Sequence, residues 1–351
     1  MGLAIVTLAT GLIAFLTYAA TACRTITWWE GTSYSLAACS LGVPPPPGSL
    51  LLTLMGWAAS RVPLVHPAAF RLNLANGLIA AVAVGLVTRI SLRLSTPAGR
   101  QPAGPELLAG SVAGLAFAFS LSVWGQAVRF TPYMLSATLA LLILIAALDW
   151  WRRAGECEAA GRIFVIFLLV GLDFSVHRTN SLLFLAILFW LTLRRPRGWL
   201  RPARWGALAG GLGLGLALQL LLIPMSRRQP WLDMCEPADF GRLWDYVSMK
   251  MMGGGFLIRL FPRQADFLHV QLADYLSFLK SNLEPPGGWG VVSWGFAALI
   301  LLGWLARFGC TRRNQAGHQG DQERQAAQRE VRRRLEMAID HSIHVATSCL
   351  H

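Results

Sequence analysis

Charge is scarce in this sequence. Only 14% of its 351 residues are Asp, Glu, Lys or Arg, against about 25% in an ordinary soluble domain. A soluble fold of this length needs more polar surface than that. Lysine is almost missing, with Lys250 and Lys280 the only two. Acids are rarer still at the front, where Glu30 stands alone before Glu106. The six cysteines (Cys23, Cys39, Cys157, Cys235, Cys310 and Cys349) form no CxxC pair and no metal-ligand spacing. That argues against a zinc or redox centre. No internal repeat stands out, which counts against an inverted-repeat transporter.

What is present is apolar. Hydrophobic residues make up 54% of the chain and aromatics 10%, with a mean hydropathy of +0.48. This excludes a disordered chain and predicts an all-α integral membrane protein. A spanning helix needs about 20 mostly apolar residues. Eight stretches qualify or nearly so: 3–20, 69–92, 107–123, 133–151, 163–174, 179–193, 206–224 and 291–308. A ninth, 49–62, follows a proline run and is too short to span, so it reads as a re-entrant or interfacial helix.

The net charge of +13 does not point to nucleic acid, because the bases cluster between apolar runs. With the N-terminus in the cytoplasm, the inner loops hold Arg93 and Arg100, then Arg152, Arg153 and Arg162, then Arg194, Arg195, Arg197, Arg201 and Arg204. The short outer connections hold chiefly Arg129 and Arg178. This asymmetry predicts eight spans with both termini cytoplasmic. Residues 1–310 then form the transmembrane domain, and 311–351 a polar, helical cytoplasmic tail. Two outer segments are long, 21–68 and 225–290, and long ordered loops commonly carry function.

Four segments on the outer side hold the chemically interesting residues. In TWWEGTSYSLAACSLGVPPPPG, residues 27–48, Glu30 follows two tryptophans that suit an interfacial aromatic belt. A headgroup-level solvated charge and a functional carboxylate are equally good readings of Glu30 there. In SVWGQAVRFTPYML, 122–135, Arg129 suits a phosphate or snorkels to the interface, and Tyr133 follows it. Asp173, His177, Arg178 and Asn180 sit together in GLDFSVHRTN, as a polar turn or a phosphate site. Arg227 and Arg228 open the second long segment, ahead of Asp233, Glu236 and Asp239. A headgroup site and a salt-bridged loop look alike at that point. Asn73 and Asn76 near the start of the second span fit hydrogen bonding between helices, and Gly210, Gly211, Gly213 and Gly215 fit close helix packing.

In these segments the sequence resembles the bacterial domain-of-unknown-function family 2723 (DUF2723). That family is protein O-mannosyltransferase-like and belongs to the GT-C glycosyltransferase superfamily. TWWEGTSYSLAACSLGVPPPPGSL stands where members carry a motif like T-W-W-D-S-G-E-F and then L-G-I-P-H-P-P-G-F-P. FRLNLANG, VWGQAVRFTPYML, GLDFSVHRTN and PMSRRQPWLDMCEPADF follow in the family's order. The likeness runs over about residues 1–310. It departs at Glu30, where the family has Asp, at Ser33 and Pro45, and at Arg129 and Thr131, where the family has acids.

The resemblance implies a GT-C-like bundle of about eight transmembrane helices in a bacterial inner (plasma) membrane. It implies a polyprenyl-phosphate sugar donor, a hydroxyl acceptor on a protein, glycan or lipid, and inverting transfer on the non-cytoplasmic face. Glu30 is then the catalytic base. Arg129, Tyr133, Asp173, His177, Arg178, Asn73, Arg227 and Arg228 are the substrate-binding candidates. No cofactor or metal ion is assigned. With the family's other acids gone, two alternatives stay open: a diverged and inactive member, and a non-catalytic protein that binds or transports a lipid-linked sugar.

Overall fold

The computed structural model describes residues 2–27, 30–63, 65, 67–96, 100–152, 159–177, 180–194, 196–250 and 266–283. Residues 1–282 cluster as one unit. The expected span 291–308 and the polar tail 311–351 lie outside the described residues, as do Trp28, Trp29 and Arg178.

Among the described residues the fold is helical throughout, with one isolated bridge between Val43 and Asp233. The chain runs α1 (Gly2–Thr21), α2 (Glu30–Ser40), α3 (Leu50–Arg61), α4 (Ala68–Ser95), α5 (Gly104–Ala118), α6 (Leu121–Ala127) and α7 (Pro132–Arg152). It continues through α8 (Ala159–Val176), α9 (Ser181–Arg194), α10 (Pro202–Ala217), α11 (Leu222–Arg227), α12 (Phe240–Val247) and α13 (Ala273–Leu283). Four helices are long and apolar enough to cross a membrane: α1, α4, the Pro132–Trp151 part of α7, and Pro202–Arg227. The last joins α10 to α11 through a tighter 3₁₀ turn, Leu218–Leu221. The short apolar stretch after the proline run is α3, 12 residues long, and α2 makes a helix of part of the expected loop 21–48.

Eight continuous spans are therefore not what the described residues show; they give four, or five if a bent pair counts as one. The third expected span is that pair, since α5 and α6 meet at an angle of 65°. The break has a chemical cause. The hydroxyl of Tyr18, fully buried on α1, donates to the Ala118 carbonyl at 2.8 Å. Ser120 Oγ donates to the Phe117 carbonyl at 2.9 Å. Both satisfy acceptors that a continuous helix would have bonded itself. The sixth expected span is α9, which at 14 residues is shorter than a bilayer requires.

Small residues set the helix packing, as expected where lipid removes the hydrophobic drive between helices. α8 and α10 form the most extensive pairing. A Cβ on Gly215 would lie 2.6 Å from the Leu168 carbonyl oxygen, and one on Gly211 would collide with the Phe164 carbonyl. Gly171 on the facing helix is equally tight against the Leu212 carbonyl, at 2.5 Å. Gly213, by contrast, faces open space. On the other flank α1 packs against α4 through Gly11 and Gly85, and Thr10 Oγ1 pairs with Thr88 Oγ1 at 2.9 Å. At the end opposite Glu30 an ion pair of 2.5 Å joins Arg93 of α4 to Asp149 of α7.

Candidate functional site

Glu30 is the first residue of α2, where a carboxylate is favoured by the positive end of the helix dipole. Its side chain is exposed. One oxygen is nonetheless fixed, because the hydroxyl of Tyr133 donates to Oε2 at 2.6 Å. Tyr133 stands in the first turn of α7, directly after Pro132, whose fixed φ suits a helix start. The ring of His177 packs on that of Tyr133, centroids 5.1 Å apart and tilted by 56°. His177 follows α8, and its backbone N–H continues the last turn by donating to the Asp173 carbonyl at 2.8 Å. Three distant segments thus meet at one carboxylate.

The surroundings are electrostatically linked. Burial pushes the His177 imidazole below its ordinary range, and the negative charge of Glu30 works against that shift. Tyr34 lies one turn along α2 from Glu30 and is buried. Its phenol is pushed up to about 12, first by burial; a hydrogen bond with Ser49 opposes this and the Glu30 charge adds to it. Arg129 lies within electrostatic reach of Tyr133. The Nε of this half-buried arginine donates to Gln126 Oε1 at 3.3 Å, and Thr131 Oγ1 donates to the same oxygen at 3.1 Å.

Two asparagines hold the segments in place. Nδ2 of Asn73 donates to the carbonyls of Cys23 (2.7 Å) and Thr25 (3.3 Å), and its Oδ1 accepts from the Phe130 N–H at 2.8 Å. Nδ2 of Asn76 donates to the carbonyls of Gln126 and Arg129, both at 2.7 Å. α4 therefore pins the strip that leads to Glu30 and the strip that carries Arg129. The polar atoms of Asn73 are engaged with backbone rather than turned toward Glu30.

Asp173 is 1% exposed, inside the bundle rather than in a surface turn. It accepts from Ser136 Oγ at 2.5 Å and from Asn180 Nδ2 at 2.9 Å, while Asn180 Nδ2 also donates to Ser136 Oγ at 2.9 Å. This closed triangle sits one helical turn from both His177 and Tyr133. A buried carboxylate bonded on both oxygens is tolerable where an orphaned one is not.

The proline run is a buried hub. The Pro44 carbonyl accepts from the hydroxyl of Tyr246 at 2.5 Å, and the Pro47 carbonyl from Gln219 Nε2 at 3.1 Å. Ser49 Oγ donates to the Val176 carbonyl, next to His177, at 2.6 Å. Gly48 adopts φ +92°, and a Cβ there would lie 2.8 Å from the Tyr246 ring. The loop that follows α2 is thus buttressed by the segment from residue 225 onward. Arg227 and Arg228 are exposed in it, and Arg227 Nε donates to the Ala238 carbonyl at 2.8 Å. Nearby, an open cleft of about 400 Å³ is lined by Asp233, Cys235, Glu236, Arg242 and Asp245. No described contact links these arginines to the Glu30 cluster. Among the described residues no group of three His, Cys, Asp or Glu side chains is placed to hold a metal ion.

Tyr34, Gln126 and Ser136 were not singled out by the sequence. The signal for two of them was helical spacing, since Tyr34 is four residues from Glu30 and Ser136 three from Tyr133.

A family profile described as protein O-mannosyl-transferase TMEM260 N-terminal domain matches residues 31–201, just under half of the chain. The match begins one residue after Glu30. It takes in Asn73, Arg129, Tyr133, Asp173 and His177 and stops before Arg227 and Arg228. No curated protein matches the chain, and no solved structure does. The match agrees with the mannosyltransferase-like side of the resemblance. Together with the long apolar helices, it suggests an O-mannosyltransferase-like membrane protein.

Proposed function

We propose that the chain is an inverting membrane glycosyltransferase that moves a sugar, mannose by similarity, from a polyprenyl-phosphate donor to a hydroxyl acceptor on the non-cytoplasmic face. The observation that carries this reading is the meeting of Tyr133 and His177 at Glu30, the one carboxylate in the first hundred residues.

Glu30 acts as general base. Tyr133 holds Oε2, which leaves Oε1 to take the acceptor proton. The acceptor oxygen bonds to the anomeric carbon as the bond from that carbon to the lipid phosphate oxygen breaks, and the electron pair leaves with the phosphate. Arg129 supplies positive charge to that departing group. His177, held toward its neutral form by burial, serves as a hydrogen-bond donor rather than a second cation. An exposed base suits an acceptor that arrives from outside the bilayer, while a lipid donor explains why the site is built on spanning helices.

Glu30→Gln tests the assignment. Glutamine keeps the length and can still accept from Tyr133, but it takes no proton. Transfer should fall by about 10²–10⁴-fold, the usual worth of a positioned base, with the protein still folded; full activity in this variant refutes the role. A second reading, binding of a lipid-linked sugar without transfer, is favoured by Arg129 and Thr131 standing where the resembled family has acids. Wild-type protein that binds the donor and yields no product with any hydroxyl acceptor decides for it.

A further inference from the structure

α12 carries two opposite faces. Leu243 and Tyr246 are buried and pack with Val43, Leu50 and Leu222. Phe240 and Trp244, four residues apart and so on one face, are 74% and 71% exposed. Trp231, in the turn before α12, is 83% exposed. Three bare aromatics within fourteen residues are costly in water, and nothing else in the described residues covers them. The segment also starts where a spanning helix ends. Leu214, Leu220 and Leu221 present an exposed apolar surface along Pro202–Arg227, and Trp231 follows four residues after that helix.

We propose that α12 and the turn before it form a bilayer-interface anchor, with Trp231, Phe240 and Trp244 seated at the headgroup–acyl boundary of the leaflet on the Glu30 side. Amphipathic tryptophan rings prefer that depth. The side is set by the Tyr246 bond to Pro44, in the loop that follows the Glu30 helix. Electrostatics says which lipid is required. Between Pro224 and Lys250 the bases Arg227, Arg228, Arg242 and Lys250 are matched by Asp233, Glu236, Asp239 and Asp245. Several of these pair directly, as Arg242 does with Glu236 at 3.3 Å and Lys250 with Asp245 at 3.2 Å. A balanced segment gains nothing from an anionic surface, so the anchor works through apolar burial. Through the proline hub it also sets the height of α2, and with it Glu30, against the membrane.

The full chain is reconstituted in phosphatidylcholine vesicles doped with two phosphatidylcholines that bear a photoactivatable carbene precursor, one near the glycerol to report on the aromatics and one at mid-chain to report on the spanning helices. Adducts are mapped by mass spectrometry. They are expected on Trp231, Phe240 and Trp244, at equal yield when part of the lipid is replaced by phosphatidylglycerol. Trp244→Asp should lose the adducts on Phe240 while exposed Leu8 of α1 and Leu78 of α4 stay labelled. Labelling of Leu8 and Leu78 without any on the three aromatics overturns the proposal. So does labelling that requires phosphatidylglycerol, or protection of the aromatics by a second copy of the chain. The readout needs no transferase activity, so it stands or falls separately from the role of Glu30.

Discussion

The hydroxyl of Tyr133 reaches Glu30 across 103 positions of sequence, 2.6 Å from Oε2. It leaves the carboxylate one fixed oxygen and one open oxygen. Tyr133→Phe removes the bond and keeps the ring against His177. A hydrogen bond to a charged group contributes about 1.5–3 kcal/mol, so kcat should fall by roughly 10–100-fold. KM for the donor should hardly move. A change confined to KM would mean that Tyr133 binds substrate instead of orienting the proposed base.

His177 makes stability depend on pH, and the sign follows from burial. Its folded-state pKa lies below the ordinary value of 6.5, so the unfolded chain binds its proton first. Stability from this group is complete above about pH 6.5 and declines as pH falls through and below that value. Thermal unfolding in detergent should show the decline, and His177→Gln should flatten it. Glu30→Gln removes the charge that supports the imidazolium and should move the His177 titration lower, read by NMR of the labelled ring. A titration that rises in Glu30→Gln contradicts this linkage.

Asn76→Ala strips hydrogen bonds from the carbonyls of Gln126 and Arg129 in a buried setting. Unsatisfied buried groups cost about 1–3 kcal/mol each. The variant should lose several degrees of thermal stability, and its Arg129 strip should become open to protease. Unchanged melting and proteolysis would show that the clamp is dispensable.

Gly215→Leu drives a side chain into the Leu168 carbonyl at the α8–α10 seam. Overpacking typically costs about 1–3 kcal/mol, and backbone on the facing helix cannot swing aside as a side chain can. Gly213→Leu, facing open space, should be neutral. Detergent-solubilised yield and melting temperature of the two variants compare them directly.

The alignment of apolar runs with helices was legible from residues alone. α1, α4, α7 and Pro202–Arg227 fall where 3–20, 69–92, 133–151 and 206–224 were expected. A long apolar stretch has only one common way to satisfy its backbone in lipid. The short helix after the prolines was legible too, because the stretch is apolar and bounded by a proline run and Pro63. The break between α5 and α6 was not, since it depends on a hydroxyl from α1 finding the Ala118 carbonyl. Composition cannot report a bond between helices that are far apart in sequence.

The same division holds at the site. Glu30 is conspicuous in the linear chain because it is a lone acid, and Arg129 and His177 because they are polar residues at span ends. That Tyr133 rather than Arg227 or Arg228 meets Glu30, and that Asn73 serves the backbone, was decided only when the helices packed. Periodicity determines which face of a helix is apolar, but not which neighbour that face meets. Partner choice rests on small-residue seams such as Gly211 and Gly215 against α8, whose close approach exists only in three dimensions.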